Sequence, residues 1–409
     1  MKVTGVKTTI YQSELTRKMG DANSPGGRVN AGGLVVEIST DEGLTGIAIG
    51  DAGERSTIHS FVDEVVVGKD PAGVRGIWFD MVSKAFKKGH DGIVGDAISQ
   101  IDIALWDLKA KANNEPLWKT LGGSTPKALG YASGIEMPLN DEELADWYGS
   151  MANLGFKGGK LKVGLDQDAD IRRVGIMNDA LKRNTDRPTL LIDANEYWSP
   201  KQAIRYTREI EEQFDITWVE EPARRWDFRG LRRIKDSVKA AVCIGENLDT
   251  LGDFLPYFHH GSADVVQVSS GMTGITGALQ LADAAYGFEL PVTLGGSTGN
   301  FHAHIAPSMP NHGIMEVNEV EYGPVFTSNT KVVDGWMIPG DDPGNGIEIL
   351  QDELARAAVE VLPRTSQASP LGRRRGAGLY QMPATAAEIE NAAGLKYTPA
   401  PSAEELASS

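Results

Sequence analysis

Three short apolar runs in the middle of the chain each lead into an acidic residue: TLLIDAN (residues 189–195), ITWVEEP (216–222) and AVCIGEN (241–247). The acids are Asp193, Glu220 and Glu246, which follow one another at intervals of 27 and 26 residues. A β-strand, a helix and their two loops occupy about 25 to 30 residues. The spacing therefore predicts successive βα units that each carry one carboxylate at the same corner.

Neighbouring strand ends of a closed parallel barrel converge on one mouth, so these three carboxylates would lie close together. They would repel one another unless a hard divalent cation lies among them. Mg²⁺ fits best, because it prefers oxygen ligands and keeps positions open for water or substrate. The alternative is that each acid only caps the helix that follows its strand. The repeated interval favours a metal site with Asp193, Glu220 and Glu246 as ligands.

The rest of the chain extends the same alternation of strands and helices. Eight runs predict the strands of a βα barrel: ALGYAS, GGKLKVG, TLLIDAN, ITWVEEP, AVCIGEN, DVVQVSS, PVTLGG and IMEVNE. Strand patterns followed by helical patterns precede them and predict an α+β lobe. We expect a capping domain over residues 1–127, the barrel over 128–325, a return to the cap over 326–365, and a tail over 366–409 that packs on its own or a neighbouring subunit.

Composition excludes several classes of partner. The formal charge of −16 argues against nucleic acid and anionic membranes, and Arg373-Arg374-Arg375 is a local exception that we expect to make a surface or subunit contact. No apolar run approaches the length of a membrane span, and MKVTGVKTTIYQ lacks the apolar core of a signal peptide. The single cysteine, Cys243, suits the reducing cytoplasm and is expected to pack inside the protein.

Two lysines add chemistry to the predicted mouth. Lys160 and Lys162, in GGKLKVG, are two residues apart on a strand, so their side chains point the same way. If they point inward, like charge and partial burial are expected to lower one pKa enough to free a neutral amine at pH 7. Such an amine can remove the proton α to a metal-bound carboxylate, which leaves an enediolate. The alternative is a pair of solvated lysines on an edge strand.

Taken in order, these motifs resemble the mandelate racemase and muconate lactonizing enzyme group of the enolase superfamily. The motifs that carry the resemblance are K-x-K, D-x-N, W-V-E-E-P, G-E-N and the helix AISQIDIALWDLKAKANNEPLWKTLGG (residues 97–123). The resemblance implies a modified (β/α)7β TIM-like barrel under an α+β capping domain, with Mg²⁺ and α-proton abstraction from a carboxylate. The group also implies a homo-oligomer, either a dimer or an octamer.

The resemblance assigns roles to individual residues. It implies that Asp193, Glu220 and Glu246 are the metal ligands. Lys162 becomes the base, and Lys160 becomes its electrostatic partner and a contact to the substrate carboxylate. Asn195 would hydrogen-bond the substrate or the metal shell, and Glu316, in IMEVNE, would stay protonated and donate to the enediolate.

The sequence departs from the racemase-like members on the other side of the substrate. Those members have a histidine after the seventh strand and an aspartate on the sixth, but the matching positions hold Gly296 and Ser269. The lactonizing branch has a lysine on its sixth strand, and DVVQVSSGMTG has none. His302 and His304 lie in a helical segment after the seventh strand. His304 matches a structural position of the family, so His302 is the better catalytic candidate.

One lysine on one face can support an elimination, whereas a racemase needs a proton donor on each face. We therefore expect a lyase or isomerase acting on a hydroxylated carboxylate, either an acid-sugar dehydratase or a sugar-lactone cycloisomerase. Arg17 and His90 of the capping loops are candidate substrate contacts. Three alternatives remain open: a racemase or epimerase that uses His302 or a cap residue, a barrel glycosidase, and a family member that binds a ligand without turning it over.

Overall fold

The computed structural model of the protein describes residues 1–362. The tail predicted over residues 366–409, with its Arg373–Arg375 run, lies outside the described residues. No helix in the described part of the chain is long and apolar enough to cross a membrane.

The first part of the chain forms a sheet covered by helices. Its three antiparallel strands are neighbours in chain order: β1 (Val3–Met19), β2 (Arg28–Thr40) and β3 (Thr45–Gly50). The helices that follow are α1 (Arg55–Phe61), α2 (Val74–Ala85), α3 (Ile93–Ala112) and α4 (Leu117–Thr120). Single turns of 3₁₀-helix span Ala52–Glu54 and Pro71–Gly73, and a π-turn spans Val62–Val66.

The middle of the chain closes into a parallel barrel. Its eight strands, each paired with the next, are β4 (Ala128–Ser133), β5 (Gly158–Lys162), β6 (Thr189–Asp193), β7 (Ile216–Glu220), β8 (Ala241–Ile244), β9 (Val265–Val268), β10 (Val292–Leu294) and β11 (His312–Val317). Strand β11 pairs with β4 and completes the circle. The predicted α/β fold, a modified TIM-like barrel under a capping sheet, is confirmed.

Seven helices connect the barrel strands. They are α5 (Asp141–Asn153), α6 (Gln167–Leu181), α7 (Pro200–Glu211), α8 (Phe228–Lys235), α9 (Leu251–His260), α10 (Ser270–Tyr286) and the short α11 (His302–Ile305), with 3₁₀ turns at Thr298–Asn300 and Ala306–Ser308. Capping boxes at Asn140, Ser199 and Thr250 start α5, α7 and α9, so each chain reversal is fixed by local hydrogen bonds.

The chain then returns across the barrel to the first sheet. The remaining elements are β12 (Phe326–Ser328), β13 (Lys331–Val333), β14 (Trp336–Ile338), β15 (Ile347–Ile349) and α12 (Gln351–Ala357). Strand β14 pairs antiparallel with β4, while the N–H of Val359 donates to Ile10 of β1. The domain boundaries set out above remain predictions.

The barrel interior is packed below a polar mouth. Tyr131, Leu191, Trp218 and Cys243 form a separate buried cluster, and the rings of Tyr131 and Trp218 meet edge to face with centroids 5.5 Å apart. Cys243 is buried, as expected. This apolar cluster fills the barrel interior and excludes water from it. The charged residues at the mouth therefore lie next to a surface of low polarity.

Helix α3 joins the cap to the barrel through one buried carboxyl group. Asp102 of α3 is fully buried and accepts hydrogen bonds from the backbone N–H and hydroxyl of Thr276 in α10, at 2.8 and 2.6 Å. The indole N–H of Trp106 donates to the same hydroxyl. Burial raises the pKa of Asp102 to about 7, although the bonds from Thr276 act in the opposite direction.

We expect Asp102→Asn to change how stability depends on pH. Because the pKa of Asp102 is higher in the folded chain than the 3.8 of a free carboxyl group, its contribution to stability is full below pH 3.8 and is lost as pH rises to about 7. The loss is roughly 1.4 kcal/mol for each pKa unit. Urea unfolding between pH 4 and 8 should show a smaller decline in the free energy of unfolding for Asp102→Asn. Parallel declines in the two proteins would contradict this account.

Candidate functional site

The three predicted carboxylates meet at the mouth of the barrel. Asp193 and Glu220 end adjacent strands β6 and β7 and are register partners, while Glu246 follows β8 by two residues. One oxygen from each lies within 4.8 Å of those of the other two. Two ligands of one Mg²⁺ must lie this close, because each bond is about 2.0–2.1 Å long.

The charges around these carboxylates fit a divalent cation. Asp193, Glu220, Glu246 and Glu316 surround two ammonium groups, which leaves two negative charges in excess if all six groups are ionised. Burial and repulsion from Asp193 act to raise the pKa of Glu220 and of Glu246, whereas the charge of Lys160 acts to lower both. Hard oxygen donors, buried and short of positive charge, are the donor set that Mg²⁺ prefers.

Both lysines of β5 point the same way, as the K-x-K spacing predicts, and the structure directs them into the mouth. Lys160 Nζ lies 2.5 Å from Glu220 Oε1, 3.0 Å from Glu316 Oε1 and 3.5 Å from Asp193 Oδ2. Lys162 Nζ lies 2.5 Å from Asp193 Oδ2. The alternative of solvated lysines on an edge strand is wrong, because β5 lies between β4 and β6 and both side chains are buried.

The expected depression of a lysine pKa is not found in this structure. Burial acts to lower the pKa of Lys160 and Lys162, but the carboxylates that surround them outweigh it and raise both values above the usual range. For Lys162 the charge of Asp193 has the largest raising effect. Both amines are therefore protonated when only the protein's own groups fill the mouth.

The protonation state of Glu316 also differs from the one that the resemblance implies. It is the last residue but one of β11 and its side chain points toward Lys160, while its Oε2 accepts a hydrogen bond from the N–H of Gly296 at 2.8 Å. Burial acts to raise its pKa, but the charges of Lys160 and Lys162 outweigh burial and lower it. Glu316 is therefore ionised here and accepts hydrogen bonds, whereas the resemblance implies a protonated donor.

Asn195 lies at the mouth in a left-handed turn. Its φ is +42°, and its backbone N–H donates to Asp193 Oδ1 at 2.8 Å. Its side-chain Oδ1 is buried and has no hydrogen-bond partner in the described part of the chain. The capping loop contacts the same residue, because Asn23 Nδ2 donates to the Asn195 carbonyl. An unpaired acceptor beside the carboxylates is consistent with the predicted contact to substrate or metal shell, which stays a prediction.

Arg17 makes contacts within the protein instead of the substrate contact that we expected. Its guanidinium donates to the carbonyls of Gly134 and Asn318, pairs with Glu319 at 2.7 Å, and lies over the ring of Trp147. These contacts join β1 of the cap to the ends of the first and eighth barrel strands. Both terminal nitrogens of the guanidinium are occupied by these contacts, and its buried Nε has no hydrogen-bond partner among the described residues, so Arg17 holds the cap in place.

His90 is not brought into the mouth. It lies half-buried in the loop before α3, and it is not among the residues that line the cavity between the cap and the barrel. Lys18, the next residue of β1 after Arg17, lines a different cavity beside α5 and α6. Neither side chain reaches the carboxylates and lysines described above.

In the described part of the chain, neither of the two positions that the sequence singles out on the opposite side of the mouth holds a base. A Cβ atom at residue 296 would lie 1.8 Å from Asn318 Oδ1, so a side chain there would have to displace that of Asn318. Ser269 comes directly before α10, and its hydroxyl makes no cap hydrogen bond. An unassisted hydroxyl near pH 7 is a poor base.

His302 does not supply the missing base. Its ring is fully buried, its Nδ1–H donates to the carbonyl of Gly295 at 2.8 Å, and its Nε2 accepts from the hydroxyl of Ser270 at 2.6 Å, a tautomer inferred from the carbonyl partner. Burial lowers its pKa to about 4, so the ring is neutral at pH 7. The catalytic assignment of His302 is not supported, because both ring nitrogens are used to tie the ends of β9 and β10 together. His304 is also buried, and its Nδ1 accepts from the N–H of Trp118 in α4.

Several buried polar residues of the site were not predicted from the sequence. Glu136 accepts a hydrogen bond from the backbone N–H of Lys162 at 2.6 Å, and Asn318 Nδ2 donates to Glu316 at 3.3 Å. Gln267 of β9 is fully buried, and neither atom of its amide has a partner among the described residues. A signal existed for the last two, since Asn318 is two residues after Glu316 and Gln267 interrupts the apolar run DVVQVSS.

Glu221 lies outside the carboxylate trio although it follows Glu220 directly. Its φ is +39°, and its side chain turns toward Asn247, whose Nδ2 donates to Glu221 Oε1 at 2.8 Å. Burial raises its pKa to about 8, and the charges of Glu246 and Asp193 add to the shift. The carboxyl group is therefore a buried neighbour of the trio that carries a proton at pH 7.

Comparison with known proteins places this geometry in a family. A cycloisomerase from Streptomyces coelicolor that acts on 3,6-anhydro-alpha-L-galactonate is 30% identical over 362 residues, covering 87% of this chain and 99% of that protein. The structure of a racemase from the same species with bound magnesium superposes with a TM-score of 0.79 at 29% identity, covering 87% and 100% of the two chains. The L-talarate/galactarate dehydratase of Salmonella typhimurium, liganded with magnesium and L-lyxarohydroxamate, gives 0.77 at 26% identity, covering 88% and 93%.

Family models cover both parts of the chain. Residues 8–122 match the mandelate racemase / muconate lactonizing enzyme N-terminal domain, and residues 143–353 match the enolase C-terminal domain-like family. The matches come in the same order as the capping sheet and the barrel. The protein is therefore a member of the mandelate racemase and muconate lactonizing enzyme group of the enolase superfamily.

Proposed function

We propose that this protein is an Mg²⁺-dependent lyase or isomerase that removes the α-proton of a hydroxylated carboxylate, as an acid-sugar dehydratase or a sugar-lactone cycloisomerase does. The observation that carries the proposal is the meeting of two buried lysines with three carboxylates at one barrel mouth. The cycloisomerase and dehydratase among its relatives support the substrate class. A glycosidase is not favoured, because lysines pair with the carboxylates.

Asp193, Glu220 and Glu246 would hold the ion. When bound, Mg²⁺ would supply positive charge that offsets these carboxylates and stabilises the negative charge that develops on the substrate carboxylate. Lys160, on the same face of β5, is suited to contact that carboxylate, because its ammonium group already lies among acidic oxygens. The backbone N–H of Lys162 is fixed by the buried Glu136, which orients the side chain we assign as the base.

A mechanism with a single base agrees with the absence of an acidic or basic side chain at Ser269 and Gly296, on the face of the substrate opposite Lys162. Gly296 has no side chain, Ser269 offers only a hydroxyl, and the ring of His302 is buried. A two-base racemase needs a proton donor there, whereas an elimination does not. Lys162 would take the α-proton and hand it to the leaving oxygen on the same side, so that the C–O bond breaks with a protonated leaving group.

We further propose that the chain divides into domains at the boundaries given above, acts in the cytoplasm, and assembles into a dimer or an octamer. The single cysteine supports the location, and the resemblance to the family supports the assembly. Gel filtration combined with light scattering distinguishes a dimer from an octamer.

We expect Glu246→Gln to weaken Mg²⁺ binding by more than about tenfold, or about 1.4 kcal/mol, because one charged ligand is lost. Isothermal titration calorimetry at pH 7 measures the affinity, and circular dichroism checks that the fold is kept. Glu221→Gln is the matched control. Its carboxyl group bonds to Asn247 rather than facing the trio, so its replacement should change the affinity by less than about threefold. Equal losses in both variants would remove Glu246 from the ligand set.

We expect turnover in D₂O to place deuterium in the product with one configuration only. Lys162→Ala should reduce both exchange and turnover by roughly 10²–10⁴-fold, the usual contribution of a general base. Lys160→Ala should impair both strongly, whereas Ser269→Ala should have little effect. Proton NMR of a panel of sugar acids and their lactones follows the label. Labelled products of both configurations would refute the single-base mechanism, and a wholly inert panel would favour a protein that only binds its ligand.

A further inference from the structure

Charge is distributed unevenly over the helices that surround the barrel. Helices α5 and α6 hold seven acidic and two basic residues, whereas α7 and α8 hold seven basic and two acidic ones, in a chain whose net charge is −16. The first pair contains Asp141, Glu142, Glu143, Asp146, Asp168, Asp170 and Asp179 against Arg172 and Arg173, and the second contains Lys201, Arg205, Arg208, Arg229, Arg232, Arg233 and Lys235 against Glu209 and Glu211. We call the outer sides of these two helix pairs the acidic face and the basic face.

Three side chains of each face carry a charge that the protein itself does not neutralise. All six are exposed, and their side chains make no hydrogen bond or ion pair within the described part of the chain. They are Glu142, Asp146 and Asp168 on the acidic face, and Lys201, Arg229 and Arg233 on the basic face. Other charges of these helices are paired internally, as Arg172 is with Asp141 and Arg232 is with Asp236. The six unpaired charges are therefore available to a partner of opposite sign.

These charges occupy matching positions in their helices. The second residue of each helix, from α5 to α8 in order, is acidic, acidic, basic and basic: Glu142, Asp168, Lys201 and Arg229. Because each helix begins where its strand reaches the mouth, these four residues lie at the same height on the barrel. A second charge of the same sign follows four residues later in α5 and in α8, which places it one turn further along the same side of the helix.

The order of the helices around the barrel determines how two copies can fit together. The eight strands follow one another in chain order, so each βα unit takes up about an eighth of a turn. The groove between α5 and α6 and the groove between α7 and α8 are two units, or about 90°, apart. A contact between two different surfaces of one chain is head to tail, and it closes into a ring when the rotation allows. Faces that differ in direction by a quarter turn close into a ring of four copies.

In such a ring, with its symmetry axis parallel to the barrel axis, every unpaired charge meets one of opposite sign. Neighbouring copies face each other, so the order of the helices is reversed across the contact. Helix α5 then meets α8 of the next copy, and α6 meets α7. The pairs at equal height are Glu142 with Arg229, Asp146 with Arg233, and Asp168 with Lys201. The two acids of α5 and the two bases of α8 have the same spacing, so both pairs form together.

An exposed aromatic side chain lies beside the basic face. Trp226 comes two residues before α8 and is 68% exposed, and the guanidinium carbon of Arg224 lies 5.5 Å from the centre of its ring. Exposed ion pairs contribute little to stability on their own, because water screens them. Tryptophan and arginine are the residues that most often dominate the binding energy of protein interfaces. Trp226 thus offers the apolar area that a contact made only of ion pairs would lack.

We propose that this protein assembles head to tail into a ring of four copies, with the acidic face of each copy against the basic face of the next. This inference narrows the proposed assembly and is independent of the proposed reaction. Two such rings would form an octamer, whereas a dimer cannot contain a closed ring of this kind.

The mass of the wild-type protein is the first test. The chain has a mass of 44.0 kDa, and we expect gel filtration with light scattering to give the mass of four or eight chains. A monomer, a dimer or a trimer would overturn the ring. The variant Arg229→Glu/Arg233→Glu places acids opposite acids, so it should raise the protein concentration at which the ring dissociates by roughly a hundredfold or more. Mass photometry over a dilution series measures this concentration, and an unchanged value would also overturn the ring.

A mixing experiment tests the pairing of the two faces. The reciprocal variant Glu142→Arg/Asp146→Arg should dissociate in the same way, because it places bases opposite bases. One variant then has two acidic faces and the other has two basic faces, so an equal mixture should recover the wild-type mass with the two kinds of chain alternating. Failure of the mixture to recover that mass, with both variants folded by circular dichroism, would overturn the assigned contact.

A matched control separates this contact from a general effect of charge. Lys87→Glu/Lys88→Glu reverses two exposed charges of the capping domain, outside both faces, and should keep the wild-type mass. Dissociation of this control would show that net charge alone governs assembly and would overturn the proposal. None of these measurements needs a substrate. A ring without turnover of any sugar acid would refute only the proposed reaction, and turnover by a protein of another mass would refute only the ring.

Discussion

The ion pairs between two lysines and the carboxylates of neighbouring strands are the constraint on which the rest of the structure depends. Lys160 and Lys162 are buried, and an unpaired buried ammonium group costs several kcal/mol. Their partners sit at the ends of β6, β7 and β11. Only a closed parallel barrel in this register brings all of those strand ends to one point, so the chemistry of the mouth and the closure of the barrel require each other.

The predictable part of this arrangement depends on periodic spacing within the chain. The interval between Asp193, Glu220 and Glu246 follows from the length of a βα unit, and the common direction of the two lysines follows from strand alternation. These rules apply wherever strands that follow one another in the sequence are also neighbours in the sheet. They gave the barrel, the carboxylate trio and the inward lysines without any knowledge of long-range contacts.

The parts that the sequence did not predict depend on contacts between distant segments. The guanidinium of Arg17 is able to bind an acidic ligand, but it forms an ion pair with Glu319, which is about 300 residues away in the sequence. His302 likewise has a reactive side chain that Ser270 and the Gly295 carbonyl enclose. Side-chain type indicates what a residue can do, whereas burial and partners decide what it does, and no local pattern records them.

The pKa of the lysines illustrates how a correct placement can give a wrong electrostatic expectation. Two neighbouring ammonium groups do lower each other's pKa, and burial acts the same way. The carboxylates outweigh both effects, because Glu316 enters the same space from the eighth strand and Asp193 lies in direct contact with Lys162. A cation held by the trio would compete with the lysines for the same oxygens. Two of the carboxylates that could bind the ion therefore also help to keep the base protonated, so metal binding and the availability of a free amine are coupled through Asp193 and Glu246.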